Sequence, residues 1–140
     1  ELEITEAVLR HDPPSAKKSL RDLRNLGVRI ALDDFGTGAS SLGFITQFDL
    51  QTVKLDQQLI RNMRGLPQEK ALIAAIVALG QGFQCRVVAE GLEGEAQLQM
   101  LQQLHCPQAQ GYWFSPPLKA KDVTLFLQQR QNAAKSQTPG

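Results

Sequence analysis

Apolar and polar residues alternate in short runs along this chain, and most runs are followed by a stretch whose apolar positions fall at helical spacing. Leu2 and Ile4 alternate with Glu1, Glu3 and Thr5. Val28, Ile30 and Leu32 alternate with Arg29, Ala31 and Asp33, Val53 and Leu55 with Lys54 and Asp56, and Val87 and Ala89 with Arg86, Val88 and Glu90. Successive side chains of a strand point to opposite faces, so each run has one face suited to packing beneath helices. The other face carries polar groups near its C-terminal end. A shorter fifth run is Gln110-Gly111-Tyr112-Trp113-Phe114. The pattern predicts strands at about 1–5, 28–33, 52–56, 86–90 and 109–114.

Between them lie helix signals. Asp12 is placed to cap a helix that has Pro13 in its first turn, Leu20, Leu23 and Leu26 at helical spacing, and Gly27 at its end. Ser40 to Phe48 reads as a short helix. Pro67 starts a long one, with Leu72, Ile73, Ile76, Val77 and Leu79 on a broad apolar face and Gly80 or Gly82 as the break. A helix over about 94–105 carries Leu98, Met100, Leu101 and Leu104 and cannot continue past Pro107. A last helix is expected over about 120–130, followed by a polar, disordered tail at 132–140. Strand and helix in strict alternation predict an α/β fold with a parallel sheet and helical crossovers.

Composition narrows the possibilities. With 140 residues, 42% of them apolar, the chain is long enough for one domain with a moderate core. Fifteen basic against fourteen acidic residues leave a net charge of +1, which gives no broad attraction for a DNA or RNA polymer or for an anionic membrane. Cys85 and Cys106 are too few and too isolated for a disulfide framework or a zinc site and read as reduced, structural thiols. No apolar run approaches the ~20 residues that span a bilayer, and no secretory signal is visible. The chain opens in a strand-like pattern without an initiator Met and reads as a piece of something longer.

The candidate chemistry is concentrated in Asp33-Asp34-Phe35-Gly36-Thr37-Gly38, where two adjacent carboxylates end an apolar strand and run into glycines. Such a pair suits a divalent metal. If both acids stayed extended they would point in different directions, so one of them must lie at the strand-loop transition, a bend the glycines favour. Taken singly, each acid has a plainer reading as a solvated charge, a turn former or a helix cap. Lys54 alone could simply reach solvent, His11 and His105 read as surface or helix-end residues, and Trp113 as packing. Independent surface charges have no reason to occupy equivalent strand ends, so the joint pattern favours a site. In a parallel barrel that end is where active sites assemble.

Five motifs in order, Glu3-Ile4-Thr5-Glu6, Asp33-Asp34-Phe35-Gly36-Thr37-Gly38, Val53-Lys54-Leu55-Asp56, Val88-Ala89-Glu90-Gly91-Leu92-Glu93 and Gln110-Gly111-Tyr112-Trp113-Phe114, resemble the EAL domain family of bacterial cyclic di-GMP phosphodiesterases. The resemblance covers residues 1–131 and corresponds to the C-terminal half or somewhat more of a family domain. It implies an incomplete TIM-barrel-like (β/α) fold of five parallel strands. It also implies metal-dependent hydrolysis of cyclic di-GMP to linear pGpG in the complete domain, in the cytoplasm, with a parent protein that could be membrane-tethered.

By the same resemblance Glu3 and Asp33 are ligands of Mg²⁺ or Mn²⁺, and Asp34 helps hold a second ion. Lys54 contacts the attacking water or the phosphate, and Glu90 is a general base or further metal-site ligand. Glu6 holds the loop after the Asp-Asp pair, while Glu93 and Gln110 lie near the nucleotide and the metal site. The Glu-Ala-Leu motif and an Asn-containing motif, both of which supply metal ligands, are absent and would lie before Glu1. The isolated chain is therefore expected to be inactive. Ala39, Gln57 and Gly94 stand where the family often has Tyr, Arg and Thr.

Two other readings remain open from sequence: a non-catalytic EAL module that binds cyclic di-GMP or a protein partner, and an unrelated metal-dependent barrel enzyme. Five strands cannot close an eight-stranded barrel, so exposed edges and self-association, such as a homodimer, are also expected.

Overall fold

The computed structural model describes residues 1–36 and 43–135, with side chains described as far as residue 131. Gly38, Ala39 and the first residues of the helix expected from Ser40 lie outside the described residues.

Five strands, β1 (Leu2–Thr5), β2 (Ile30–Phe35), β3 (Thr52–Leu55), β4 (Arg86–Ala89) and β5 (Gln108–Ala109), form one sheet in chain order. Every neighbouring pair is parallel. The connections are α1 (Glu6–His11) with α2 (Pro13–Asn25), α3 (Gly43–Gln47), α4 (Gln57–Arg61) with α5 (Pro67–Gly82), and α6 (Glu95–Gln103); α7 (Ala120–Lys135) follows β5. Sequential parallel strands joined by helices, as the alternation predicts, describe an arc of a (β/α) barrel, the incomplete TIM-barrel-like fold that the resemblance implies. β1 and β5 are its outer strands, each paired with one neighbour.

The helix-covered face of the sheet carries the core. Leu32, Phe35, Val53, Leu55, Val87 and Ala89 are buried there in one cluster with Ile73, Ile76 and Val77 of α5. The other face is polar. At its N-terminal end Glu1 Oε2 accepts hydrogen bonds from Thr52 Oγ1 and Arg86 Nη2, both at 3.0 Å, which ties three strands together below the candidate site.

Several boundaries differ from the sequence reading for local reasons. β2 begins at Ile30 because the Val28 amide closes the end of α2 by donating to Leu23 O. It then continues through the acidic pair to Phe35, which is buried. α1 and α4 replace what read as connections; the first carries an Arg10–Glu6 ion pair one turn apart, and the second is capped by Asp56, whose carboxylate accepts from the Gln58 amide at 2.7 Å. β5 is only two residues long and sits earlier than expected. Past Gln110 the chain turns instead, because Gly111 lies directly against the Leu92 main chain where a Cβ would clash, and the Trp113 amide donates to Leu92 O. α7 runs through Lys135, so residues 132–135 are helical backbone rather than tail, and the rest of the expected tail, 136–140, lies outside the described residues.

Candidate active site

A bulge in β2 builds the centre of the site. Leu32 pairs with Val53 and Phe35 with Leu55, so two residues of β2, Asp33 and Asp34, oppose the single residue Lys54 of β3. Asp34 absorbs the extra length with φ +56°, in the left-handed region that Asp tolerates better than most residues, and its amide donates to Asp33 Oδ1 at 3.0 Å. The bulge keeps Phe35 on the core face and places both acids opposite the lysine. The bend expected at one member of the pair is found at Asp34, inside the strand rather than at its transition to the loop.

Lys54 is the hub. Its Nζ lies 2.7 Å from Glu3 Oε1, 2.6 Å from Glu90 Oε1 and 3.7 Å from Asp33 Oδ1, and its side chain is only 9% exposed. Burial opposes the positive charge, yet the hydrogen bonds to Glu3 and Glu90 and the surrounding negative charge outweigh it and push the ammonium above the ordinary lysine range. Glu90 also accepts from Gln110 Nε2 at 2.6 Å on the oxygen that meets Lys54. Burial raises the Glu90 carboxyl above the usual carboxylate range, with Lys54 opposing the shift. Asp34 is raised as well, by desolvation and then by the negative charges of Asp33 and Asp56.

Glu3, Asp33, Asp34, Lys54, Glu90 and Gln110 thus come together at the C-terminal ends of successive strands. Glu6 and Glu93 do not join this cluster. Glu6 binds Arg10 through Oε2, and its Oε1 is buried without a hydrogen bond among the described residues. The loop it was expected to hold lies largely outside the described residues. Glu93 stands on the rim of an adjoining cleft of about 430 Å³, paired with Arg61 and sharing the lining with Glu90, Gln110 and Tyr112.

Two contributors were not foreseen as such. Asp56 caps α4 and is also close enough to raise Asp34; an Asp just before a helix is a recognisable cap, but its effect on Asp34 depends on the bulge. Arg61 had no sequence signal, since α4 itself was not anticipated.

Carboxylate and amide oxygens are hard donors that suit Mg²⁺ or Mn²⁺ and disfavour thiophilic metals. Among the described residues, however, no group of three acids converges as a ready ligand shell. The Lys54 ammonium lies between Glu3, Asp33 and Glu90 and holds their oxygens itself. The donor chemistry of these carboxylates fits a divalent ion.

Residues 1–117 match the EAL domain family model. The chain belongs to the EAL domain family. Over 127 residues, 91% of this chain, it is 39% identical to the cyclic di-GMP phosphodiesterase NbdA of Pseudomonas aeruginosa, of which it covers 16%. The crystal structure of the EAL domain of Mycobacterium smegmatis DcpA superposes with a TM-score of 0.82 at 34% identity, covering 91% of this chain and 57% of that one. The manganese and cyclic di-GMP complex of Klebsiella pneumoniae BlrP1 gives 0.77 at 33% identity, covering 82% and 29%. The chain therefore spans about a sixth of NbdA and somewhat over half of the DcpA EAL domain. As an EAL domain segment it supplies five strands of the barrel. Among its described residues no helix is long and apolar enough to cross a membrane.

Proposed function

We propose that this chain is the C-terminal part of an EAL phosphodiesterase domain that, when complete, hydrolyses cyclic di-GMP to linear pGpG. The observation that carries this reading is the buried Lys54 ammonium, held within 2.7 Å of Glu3 and Glu90 at the C-terminal end of the sheet, with Asp33 and Asp34 opposite. A phosphodiester is anionic, and its hydrolysis needs a site that neutralises charge and orders a water. Glu3, Asp33 and Asp34 would hold Mg²⁺ or Mn²⁺. Such ions, when bound, neutralise phosphoryl oxygens and lower the pKa of a coordinated water.

The remaining roles fall to side chains. Lys54 orients a phosphate oxygen or the attacking water through charged hydrogen bonds. Glu90, whose carboxyl burial biases toward holding a proton, accepts one at Oε1 or Oε2, and Gln110 fixes its orientation. Glu6 steadies the loop after the acidic pair, and Glu93 borders the nucleotide. The test is turnover by the complete domain with Mn²⁺ or Mg²⁺: linear pGpG is the expected product, and none, where a control phosphodiesterase makes it, ends the catalytic reading.

One observation favours a second reading. Since Lys54 rather than a ready ligand shell organises the described acids, the module could bind cyclic di-GMP without cleaving it. Calorimetric binding of cyclic di-GMP by the complete domain in the presence of Mn²⁺, with no product formed, would select it.

We also assign the domain to the cytoplasmic side of the bacterial membrane, where its nucleotide is found; protection from external protease in spheroplasts tests this. The open edges of β1 and β5, together with exposed Leu125 and Leu127 on α7, support self-association of the isolated chain. A stable monomer by light scattering at high concentration would exclude it.

A further inference from the structure

Beside the Lys54 cluster the cleft of about 430 Å³ has Gln57 and Arg61 of α4 on one side and Glu90, Gly91 and Glu93 on the other, with residues 110–112 and 115–117 completing it. The walls are pinned together at three points. Gly91, with φ +72°, packs so tightly that a Cβ there would lie 2.6 Å from Gln57 Cβ. Gln97 accepts from the Glu93 and Gly94 amides at 2.9 and 3.2 Å and donates to Ile60 O at 3.1 Å. Arg61 donates from Nε to Glu93 Oε1 at 2.9 Å, and its Nη2 lies 2.7 Å from the same oxygen.

The third contact is chemically one-sided. Two guanidinium nitrogens converge on one carboxylate oxygen, and no hydrogen bond within the described residues engages Oε2. Both side chains are about half exposed, 46% for Arg61 and 49% for Glu93, so the pair adds little to folding. What it does is fix the rotamer of an acid whose second oxygen stays available to a ligand in the cleft. A guanine base presents N1–H and N2–H donors side by side, matching such an acceptor; adenine offers a lone pair at N1 and is repelled.

We propose that Arg61 is a positioning residue for nucleobase selection, holding Glu93 so that its carboxylate accepts from the Watson–Crick edge of a guanine seated in the cleft. This rests on the cyclic di-GMP reading above. It predicts selectivity that acts on binding, because among the described residues no hydrogen bond or ion pair joins Arg61 or Glu93 to Lys54 or its acids.

The experiment compares cyclic di-GMP with its inosine counterpart, which lacks the N2 amine, in the complete domain carrying wild-type Arg61, Arg61→Gln or Arg61→Lys. For Arg61→Gln, KM for cyclic di-GMP should rise about tenfold with kcat within about twofold, the scale of one charged hydrogen bond. The guanine-over-inosine KM ratio should shrink toward one, and Arg61→Lys should recover part of it. An unchanged ratio, an equal rise in KM for both nucleotides, or a loss confined to kcat would overturn the assignment. If the wild-type domain binds but does not cleave, the dissociation constants of the two nucleotides by calorimetry give the same ratio. Failure of the catalytic reading thus remains separate from failure of this one.

Discussion

Lys54 Nζ and Glu90 Oε1 lie 2.6 Å apart on a diagonal between neighbouring strands, since Lys54 is in register with Val88 and Glu90 stands two residues further on. The diagonal lets the lysine meet Glu90 on one side and Glu3 on the other without leaving the sheet. It also makes the charge state of one buried ammonium a condition for three acids to stay close.

That condition sets a pH dependence. The folded-state pKa of Lys54 is raised above its ordinary value of 10.5, so its contribution to stability is complete below about that pH and is lost as pH rises through the folded value. In EDTA-treated protein, the urea midpoint of the wild type should fall more steeply above pH 10.5 than that of Lys54→Met. In the complete domain the same substitution should lower kcat for cyclic di-GMP by about a hundredfold or more. Parallel alkaline profiles would show that the lysine is not coupled to folding.

Asp56→Asn should lower the pKa of Asp34. Asparagine keeps the cap acceptor for the Gln58 amide but removes one of the negative charges that hold Asp34 up. Carbon-detected NMR titration of Asp34 reads the shift. Asp56→Ala should in addition cost about 1 kcal/mol of stability through the lost cap.

Gly91→Ala should destabilise the chain by roughly 2 kcal/mol or more, because the new methyl meets Gln57 Cβ and Cα at 2.6 and 3.1 Å and the backbone is left-handed. Urea unfolding measures the loss. A neutral result would mean that α4 moves freely relative to the loop after β4, and the cleft would then have no fixed width.

Gly94→Thr should stabilise. Gly94 is the extended N-cap residue of α6, has no side chain to accept from the first turn, and has open space around it. A threonine hydroxyl and a stiffer unfolded chain together should add about 0.5–1 kcal/mol, read as a higher urea midpoint.

The alternation of strands and helices and the convergence of Glu3, Asp33, Lys54 and Glu90 were legible because both follow from period-two patterning and topology, whereas Gln110 was expected only from the family resemblance and Asp34 joins through the bulge. A parallel sheet in chain order brings equivalent strand ends together without further information. What escaped was decided by single contacts. Nothing in the run from Val28 shows that its amide turns back to Leu23, or that Gly111 lies against Leu92 and ends β5. The same holds for Arg61, whose meaning depends on α4 swinging it toward Glu93. The bulge was half legible: two adjacent acids called for a bend, but only pairing on both sides places it inside the strand.

That bulge separates scaffold from chemistry. With one residue fewer between Leu32 and Phe35, the ladder to β3 would run without a break and the phenyl ring would still point into the protein interior. For the sheet, though not for the acid cluster, the second aspartate is an insertion, and a variant shortened by that residue should give an unaltered circular dichroism spectrum. Shortening the strand at Leu32 instead removes a core side chain and brings the Asp33 carboxylate opposite Val53 in its place.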